Sequence, residues 1–182
     1  MSGLSDHALG WLVTAVLVVA AVIDGRALKV PNWLTFPFVI TGVAYGLLAH
    51  GWSGLGTAAP RDRGTGMALL LPLYAIGGMG AGDVKLFMGV GAWMGPDVTL
   101  HAFLVLSIVG AIMAVAMVLW SGEWRRHWEL FRTIIREILV IRDPVALSEI
   151  AAKRKPSMLL LPYGIPIAVG SIGYFIASGH LF

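Results

Sequence analysis

Two aspartates at the edges of apolar stretches are the residues of this chain best suited to acid–base chemistry. Asp24 ends an uncharged run that begins at His7, and Asp83 opens a short apolar run that ends at Pro96. Ionisable side chains at membrane depth are costly, so each is a functional hypothesis by default. Two carboxylates in one low-dielectric site do not both ionise easily, and such a pair can activate water and polarise a peptide carbonyl. The predicted chemistry is that of an aspartic protease.

A second interpretation of the same two residues stays open at this point. Asp24 is close in sequence to Arg26, and Asp83 to Lys85, so each could form a structural or ion-coupling pair. Paired acids and broken helices also occur in transporters. The alternative function is therefore a non-enzymatic polytopic membrane protein, such as a small ion-coupled transporter or an assembly subunit.

The elements that position these residues are predicted to be membrane-spanning helices. The 182-residue chain is 58% hydrophobic and 13% charged, whereas soluble domains average about 25% charged residues. Its apolar runs do not alternate with polar residues as the strands of a membrane barrel do, so the predicted fold class is all-α. We expect one membrane-embedded domain with six transmembrane helices, at about residues 7–24, 34–50, 64–79, 83–96, 98–120 and 158–179.

The basic residues predict how this domain is oriented. Six spans place the connections alternately on two sides, and eleven of the thirteen Lys and Arg residues then fall on one side. Because basic loops stay in the cytoplasm, we expect an inner-membrane protein with both termini outside the cytoplasm and loop 121–157 inside it. Asp24 and Asp83 then lie at the same cytoplasmic face. Topology explains the net charge of +3, so no nucleic-acid partner is expected.

Two further features concern the ends and the long loop of the chain. No basic residue precedes the first apolar run, so we do not expect a cleaved signal peptide. Within loop 121–157, aromatic and aliphatic residues recur at steps of three and four, with arginines mostly between them. This pattern predicts an interfacial amphipathic helix on the inner face of the membrane, with the lipid bilayer as its partner.

The residues around the two aspartates resemble a known family. Gly80-Ala81-Gly82-Asp83, continuing as Val84-Lys85-Leu86, resembles the GxGD motif of membrane-embedded aspartic proteases. It is most similar to the version in type IV prepilin peptidases. The segment Asp24-Gly25-Arg26 through Val30-Pro31-Asn32-Trp33-Leu34-Thr35 resembles the first aspartate region of that family, and Leu161-Pro162-Tyr163-Gly164 is also similar to a family feature.

Within that family, the chain resembles the short form found in Flp/Tad pilus systems and in archaeal preflagellin peptidases. The larger, bifunctional members have a cytoplasmic insertion with cysteine pairs and also N-methylate the pilin. Here a tight loop follows Asp24 and the sequence contains no cysteine, so methyltransferase activity stays open. The bacterial short form is the preferred assignment.

The resemblance implies roles for individual residues. Asp24 and Asp83 are the expected catalytic pair, acting on a prepilin whose basic leader lies in the cytoplasm and precedes an apolar helix. The supporting residues are Gly80, Gly82, Lys85, Asn32 and Arg26. Gly80 and Gly82 shape the loop, Lys85 tunes a carboxylate or contacts the substrate, and Asn32 hydrogen-bonds near the first aspartate. No metal or cofactor is expected, and the oligomeric state is open.

A third interpretation is a presenilin-like intramembrane protease, which shares the GxGD motif. In that group a tyrosine precedes the first aspartate, whereas this chain has Ile23 there. The prepilin peptidase resemblance therefore remains the preferred one.

Overall fold

The chain folds into α-helices throughout the part that the structure describes. The computed structural model describes residues 2–50, 65–75, 79–141, 143–154 and 161–182. Their helices are α1 (Ser2–Ala27), α2 (Asn32–His50), α3 (Thr65–Ala75), α4 (Ala81–Met94), α5 (Pro96–Ser121), α6 (Trp124–Val140), α7 (Pro144–Arg154) and α8 (Gly164–Ala177). The predicted all-α class is confirmed for these residues.

Length and composition separate the helices into two groups. Among the described residues, two helices are long and apolar enough to cross a membrane, His7–Ala27 within α1 and Pro96–Ser121. The apolar segments Asn32–Leu48 and Gly164–Ala177 are shorter. The predicted span 64–79 contains the 11-residue helix α3. Residues 64 and 76–78 of that span, and residues 158–160 of the predicted span 158–179, lie outside the described part. The crossing of a membrane by all six predicted spans stays a prediction.

Helix α4 is the centre of the packing. It contacts α1, α2, α3, α5 and α8, and its side chains Leu86, Phe87 and Val90 are fully buried. A helix that is apolar on all sides is typically buried among other helices or spans a membrane. The first turn of α4, which contains Asp83, is therefore fixed from several directions.

Helices α1, α5 and α8 form the other main contacts of the bundle. Helix α8 packs against both α1 and α5, and its residues Ile167 and Phe175 are fully buried. Leu17 of α1 is equally buried and belongs to the same hydrophobic core. The packing of α8 on α1 brings the start of α8 to the end of α1, where Asp24 lies.

The segment 121–157 contains more helix than the sequence predicted. Helix α6 matches the expected amphipathic helix and has no buried residue, but its position on a membrane stays a prediction. Helix α7 was not predicted. The sequence signal that could have indicated this helix is the pair Asp143-Pro144. In the structure the Asp143 carboxylate accepts a hydrogen bond of 2.9 Å from the backbone N–H of Val145. An aspartate before a proline is a favourable helix start.

Candidate active site

Asp24 lies in the last turn of α1, and a distant backbone group holds its side chain. The residue is buried, with 2% of its surface exposed. The backbone N–H of Gly164, 140 residues later in the chain, donates a buried hydrogen bond of 2.7 Å to Oδ2 of Asp24. Because Gly164 is the first residue of α8, this N–H is one that no carbonyl of the helix could accept. The bond therefore fixes the Asp24 side chain and also gives the first N–H group of α8 a hydrogen-bond acceptor.

Asp83 lies in the first turn of α4 and is also buried, with 8% of its surface exposed. Gly80 precedes the helix in an extended conformation, and its backbone N–H donates a hydrogen bond of 3.2 Å to Oδ2 of Asp83. An acidic side chain at this position stabilises the N-terminus of a helix, because the free N–H groups there are electropositive. The role of Gly80 in shaping the segment before Asp83 stays a prediction.

The segment Tyr163–Gly164 connects the surroundings of the two aspartates. Gly164 binds Asp24, and the adjacent Tyr163 lies close enough to Asp83 to interact with it electrostatically. Helices α1 and α4 are also in direct contact. The structure thus brings both predicted aspartates to the start of α8, although 59 residues separate them in the sequence.

Two glycines allow this close assembly. A Cβ atom on Gly164 would lie 2.8 Å from the Cβ of Asp24, and a Cβ atom on Gly82 would lie 2.5 Å from the carbonyl oxygen of Val30. Both separations are shorter than the van der Waals contact distance of a Cβ atom to a carbon or to a carbonyl oxygen. Gly82 therefore lets the first turn of α4 rest on the backbone that follows α1, and Gly164 lets α8 rest on Asp24.

The remaining predicted site residues include a pair that is connected across two helices. Lys85 donates a hydrogen bond of 3.1 Å to Oδ1 of Asn32, and its amine lies 4.4 Å from the ring centroid of Phe36. The roles of Lys85 towards a carboxylate or the substrate, and of Asn32 near the first aspartate, stay predictions. Arg26 lies in the last turn of α1 and is exposed.

Sequence reasoning missed Tyr163 and Gly164 as parts of the site. The signal was present, because Leu161-Pro162-Tyr163-Gly164 had been recognised as similar to a family feature, but no role followed from it. Carboxyl groups and a tyrosine hydroxyl are groups that can take part in proton transfer. The described residues contain no group of three or more His, Cys, Asp or Glu that could hold a metal ion.

Comparison with known proteins identifies relatives of this chain. The model of the type IV leader peptidase family matches residues 11–115, which include both aspartates but not Tyr163 or Gly164. The prepilin leader peptidase/N-methyltransferase of Aeromonas hydrophila is 35% identical over 115 residues, which are 59% of this chain and 39% of that protein. The protein of the same name from Neisseria gonorrhoeae is 28% identical over 122 residues, which are 63% of this chain and 42% of that protein.

The matches cover only part of each protein. The chain spans about two fifths of the length of these curated relatives. No solved structure matches it. Since the family model covers more than half of the 182 residues, the chain belongs to the type IV leader peptidase family.

Proposed function

We propose that this protein is an intramembrane aspartic endopeptidase that removes the leader peptide of type IV, Flp-like prepilins for pilus assembly. The observation that supports this most strongly is the pair of buried carboxylates, Asp24 and Asp83, at the start of α8. The family match includes both residues. Relatives that share this region are named prepilin leader peptidase/N-methyltransferase.

The proposed mechanism uses the two carboxyl groups as an acid–base pair. The ionised carboxylate removes a proton from a water molecule, whose oxygen attacks the carbonyl carbon of the scissile peptide bond. The protonated carboxyl group donates its proton to the carbonyl oxygen, which gives a tetrahedral diol. As the C–N bond breaks, the carboxyl group that took the water proton gives it to the departing amine, and the other carboxylate takes a hydroxyl proton from the diol as the carbonyl re-forms. The pair is left with one proton for two carboxyl groups, as at the start. The hydrogen bonds from Gly164 and Gly80 hold the carboxylates during these steps.

The proposed location is the cell inner (cytoplasmic) membrane, as a multi-pass protein whose active site faces the cytoplasm. The family and the apolar helices together indicate an integral membrane protein. The proposed orientation is supported by the concentration of basic residues in segment 121–157. It places the aspartates at the membrane edge where a cytoplasmic leader meets an apolar segment.

The test replaces each aspartate by its isosteric amide. We expect Asp24→Asn and Asp83→Asn each to lower cleavage of a co-expressed prepilin-like protein from the same genome by about 10²–10⁴-fold, the usual contribution of general acid–base catalysis. The measurement is the loss of the leader, followed by gel mobility and by mass spectrometry of the product. A chelator is expected to leave the rate unchanged.

Asp97→Asn is the matched control, because Asp97 also lies in the first turn of a helix but is exposed. We expect this variant to cleave as the wild type does. Full cleavage by either of the other two folded variants would exclude the catalytic pair. If the purified wild type cleaves no candidate substrate, the alternative of a transporter or an assembly subunit gains the support that the peptidase loses.

A further inference from the structure

A groove on the side of the bundle lies next to the candidate active site. It has a volume of about 260 Å³ and is lined by α3, α5 and the residues that begin α8. The α5 side of the groove consists of Phe103, Leu106, Ser107, Gly110, Ala111 and Ala114. Leu70 and Leu73 of α3 form the opposite wall. The lining is therefore almost wholly apolar.

The shape of the α5 wall fits a helix. Its residues recur at steps of three and four, so they form one stripe along the helix. From the first to the last, the stripe is roughly 16 Å long at 1.5 Å per residue, which corresponds to about three turns of a partner helix. Four neighbours in the stripe are small, namely Ser107, Gly110, Ala111 and Ala114. Small side chains let a second helix approach closely within a membrane.

The groove is open on one side and is bordered by the residues that begin α8. Ser107 and Ala111 are exposed, and α5 is one of the helices long enough to cross a membrane. Tyr163 lines the groove, and so does Met79, which directly precedes Gly80, whose N–H binds Asp83. Pro166, another lining residue, is two positions after Gly164, whose N–H binds Asp24. A helix in this groove would therefore have one end beside both aspartates.

We propose that the groove is the subsite for the apolar helical segment of the substrate, which enters sideways from the bilayer. The proposal rests on the proposed function and adds where the substrate binds. A matching helix replaces lipid on the small-residue stripe. It makes closer van der Waals contact with the small side chains than acyl chains do. The contact with Tyr163 then places the junction between leader and apolar segment near Asp24 and Asp83.

Disulfide trapping tests the occupant directly. The chain has no cysteine, so Ala111→Cys introduces a unique thiol into the groove. The probe is a prepilin-like protein from the same genome with one cysteine placed in turn at positions along its apolar segment. The enzyme carries Asp83→Asn so that the substrate stays intact. We expect at least tenfold more enzyme–substrate disulfide from Ala111→Cys than from the control Ile112→Cys.

Ile112 is a suitable control because it is the next residue on α5, is 65% exposed, and does not line the groove. Equal trapping by the two variants would overturn the proposal. Disulfide-linked pairs of the enzyme itself, formed through Ala111→Cys in place of the enzyme–substrate product, would also overturn it, because the groove would then bind a second copy of the chain.

An activity measurement separates this proposal from the peptidase assignment. Ala111→Phe fills the groove, and we expect it to slow cleavage of the intact substrate at least tenfold relative to Ile112→Phe. Cleavage of a short peptide that contains the scissile bond but no apolar segment should be equal in the two variants. Equal loss with both substrates, or no loss with either, contradicts the groove while the wild type remains a peptidase. Failure of the wild type to cleave either substrate contradicts the proposed function.

Discussion

The candidate active site and helix α6 are built on opposite principles. Asp24 is buried and is held by a backbone group 140 residues away in the chain. Helix α6 has no buried residue, and its aromatic side chains contact one another, with Trp124 stacked on Trp128 at 6.3 Å and Trp128 on Phe131 at 5.8 Å. Its ion pair, Arg126 with Glu123 at 2.7 Å, is also local.

This difference shows that helix packing sets the position of the active-site carboxylate, whereas the surroundings of α6 set the position of that helix. A buried carboxylate at a junction of helices α1, α4 and α8 keeps its place only while those helices stay packed. An exposed amphipathic helix keeps its conformation through local contacts, and a membrane surface sets its position. Changes at the junction should therefore affect catalysis strongly, whereas changes on α6 should affect mainly its association with the membrane.

Outside the two aspartates themselves, the largest effect is expected from Gly164→Ala. The new methyl group would lie 2.8 Å from the Cβ of Asp24, so the carboxylate or α8 must move, although the backbone N–H remains. Misplacement of a catalytic group by about 1 Å commonly costs about 10²-fold in rate, and we expect a loss of that size in kcat/KM. The measurement is prepilin cleavage by the purified variant, together with its thermal unfolding.

Gly173→Ala on the same helix is the control, because nothing lies within 4 Å of a Cβ atom there. It makes the same chemical change in α8 and should leave cleavage within about twofold of the wild type, since an alanine also favours the helix slightly. Equal activity of the two variants would show that the junction tolerates displacement, and the contrast with α6 would lose its basis.

The two regions also differ in how well the sequence predicted them. Asp24 and Asp83 were identified as a pair because few charges interrupt the apolar runs, so an acid at a run's edge stands out. Helix α6 was identified because its periodicity is local. The start of α8 could not be assigned a role, since the contact between Gly164 and Asp24 depends on how α8 packs on α1.

Lys85 shows a second limit of sequence reasoning. From its position two residues after Asp83, a tuning role, a substrate contact and a structural ion pair all stay open, and neighbours two residues apart on a helix point in different directions. The structure places its amine on Asn32 and over the Phe36 ring, both of α2. Only the packing of α2 against α4 determines this partner.

An intermediate effect is expected when this connection between α2 and α4 is removed. Lys85→Met removes a hydrogen bond and a cation–π contact, each of about 0.5–1 kcal/mol at an exposed site, so we expect kcat/KM to fall by at most about five- to thirtyfold. Asn32→Ala removes the hydrogen bond alone and should have a smaller effect. In the double variant the losses should not add, because one interaction is counted in both. Additive losses would show that the two residues act separately.

The smallest effect on catalysis is expected from α6. Replacing Arg125, Arg126, Arg132 and Arg136 by glutamine leaves the apolar face of the helix intact and removes its positive charge. Each basic residue near an anionic membrane contributes about 1 kcal/mol to its attraction. We therefore expect cleavage in detergent within about twofold of the wild type, and weaker hydrogen-exchange protection of α6 in vesicles that contain anionic lipid.

The wild type in zwitterionic vesicles is the control for this last variant, because the arginines are present there and the anionic lipid is not. If the arginines act through the membrane, α6 should be equally weakly protected in that control and in the glutamine variant. Catalysis that falls in detergent as far as with Gly164→Ala would instead mean that α6 supports the aspartates directly. The buried junction and the exposed helix would then be one functional unit. In detergent no membrane is present, so replacement of the α6 arginines could affect Asp24 only through contacts within the protein.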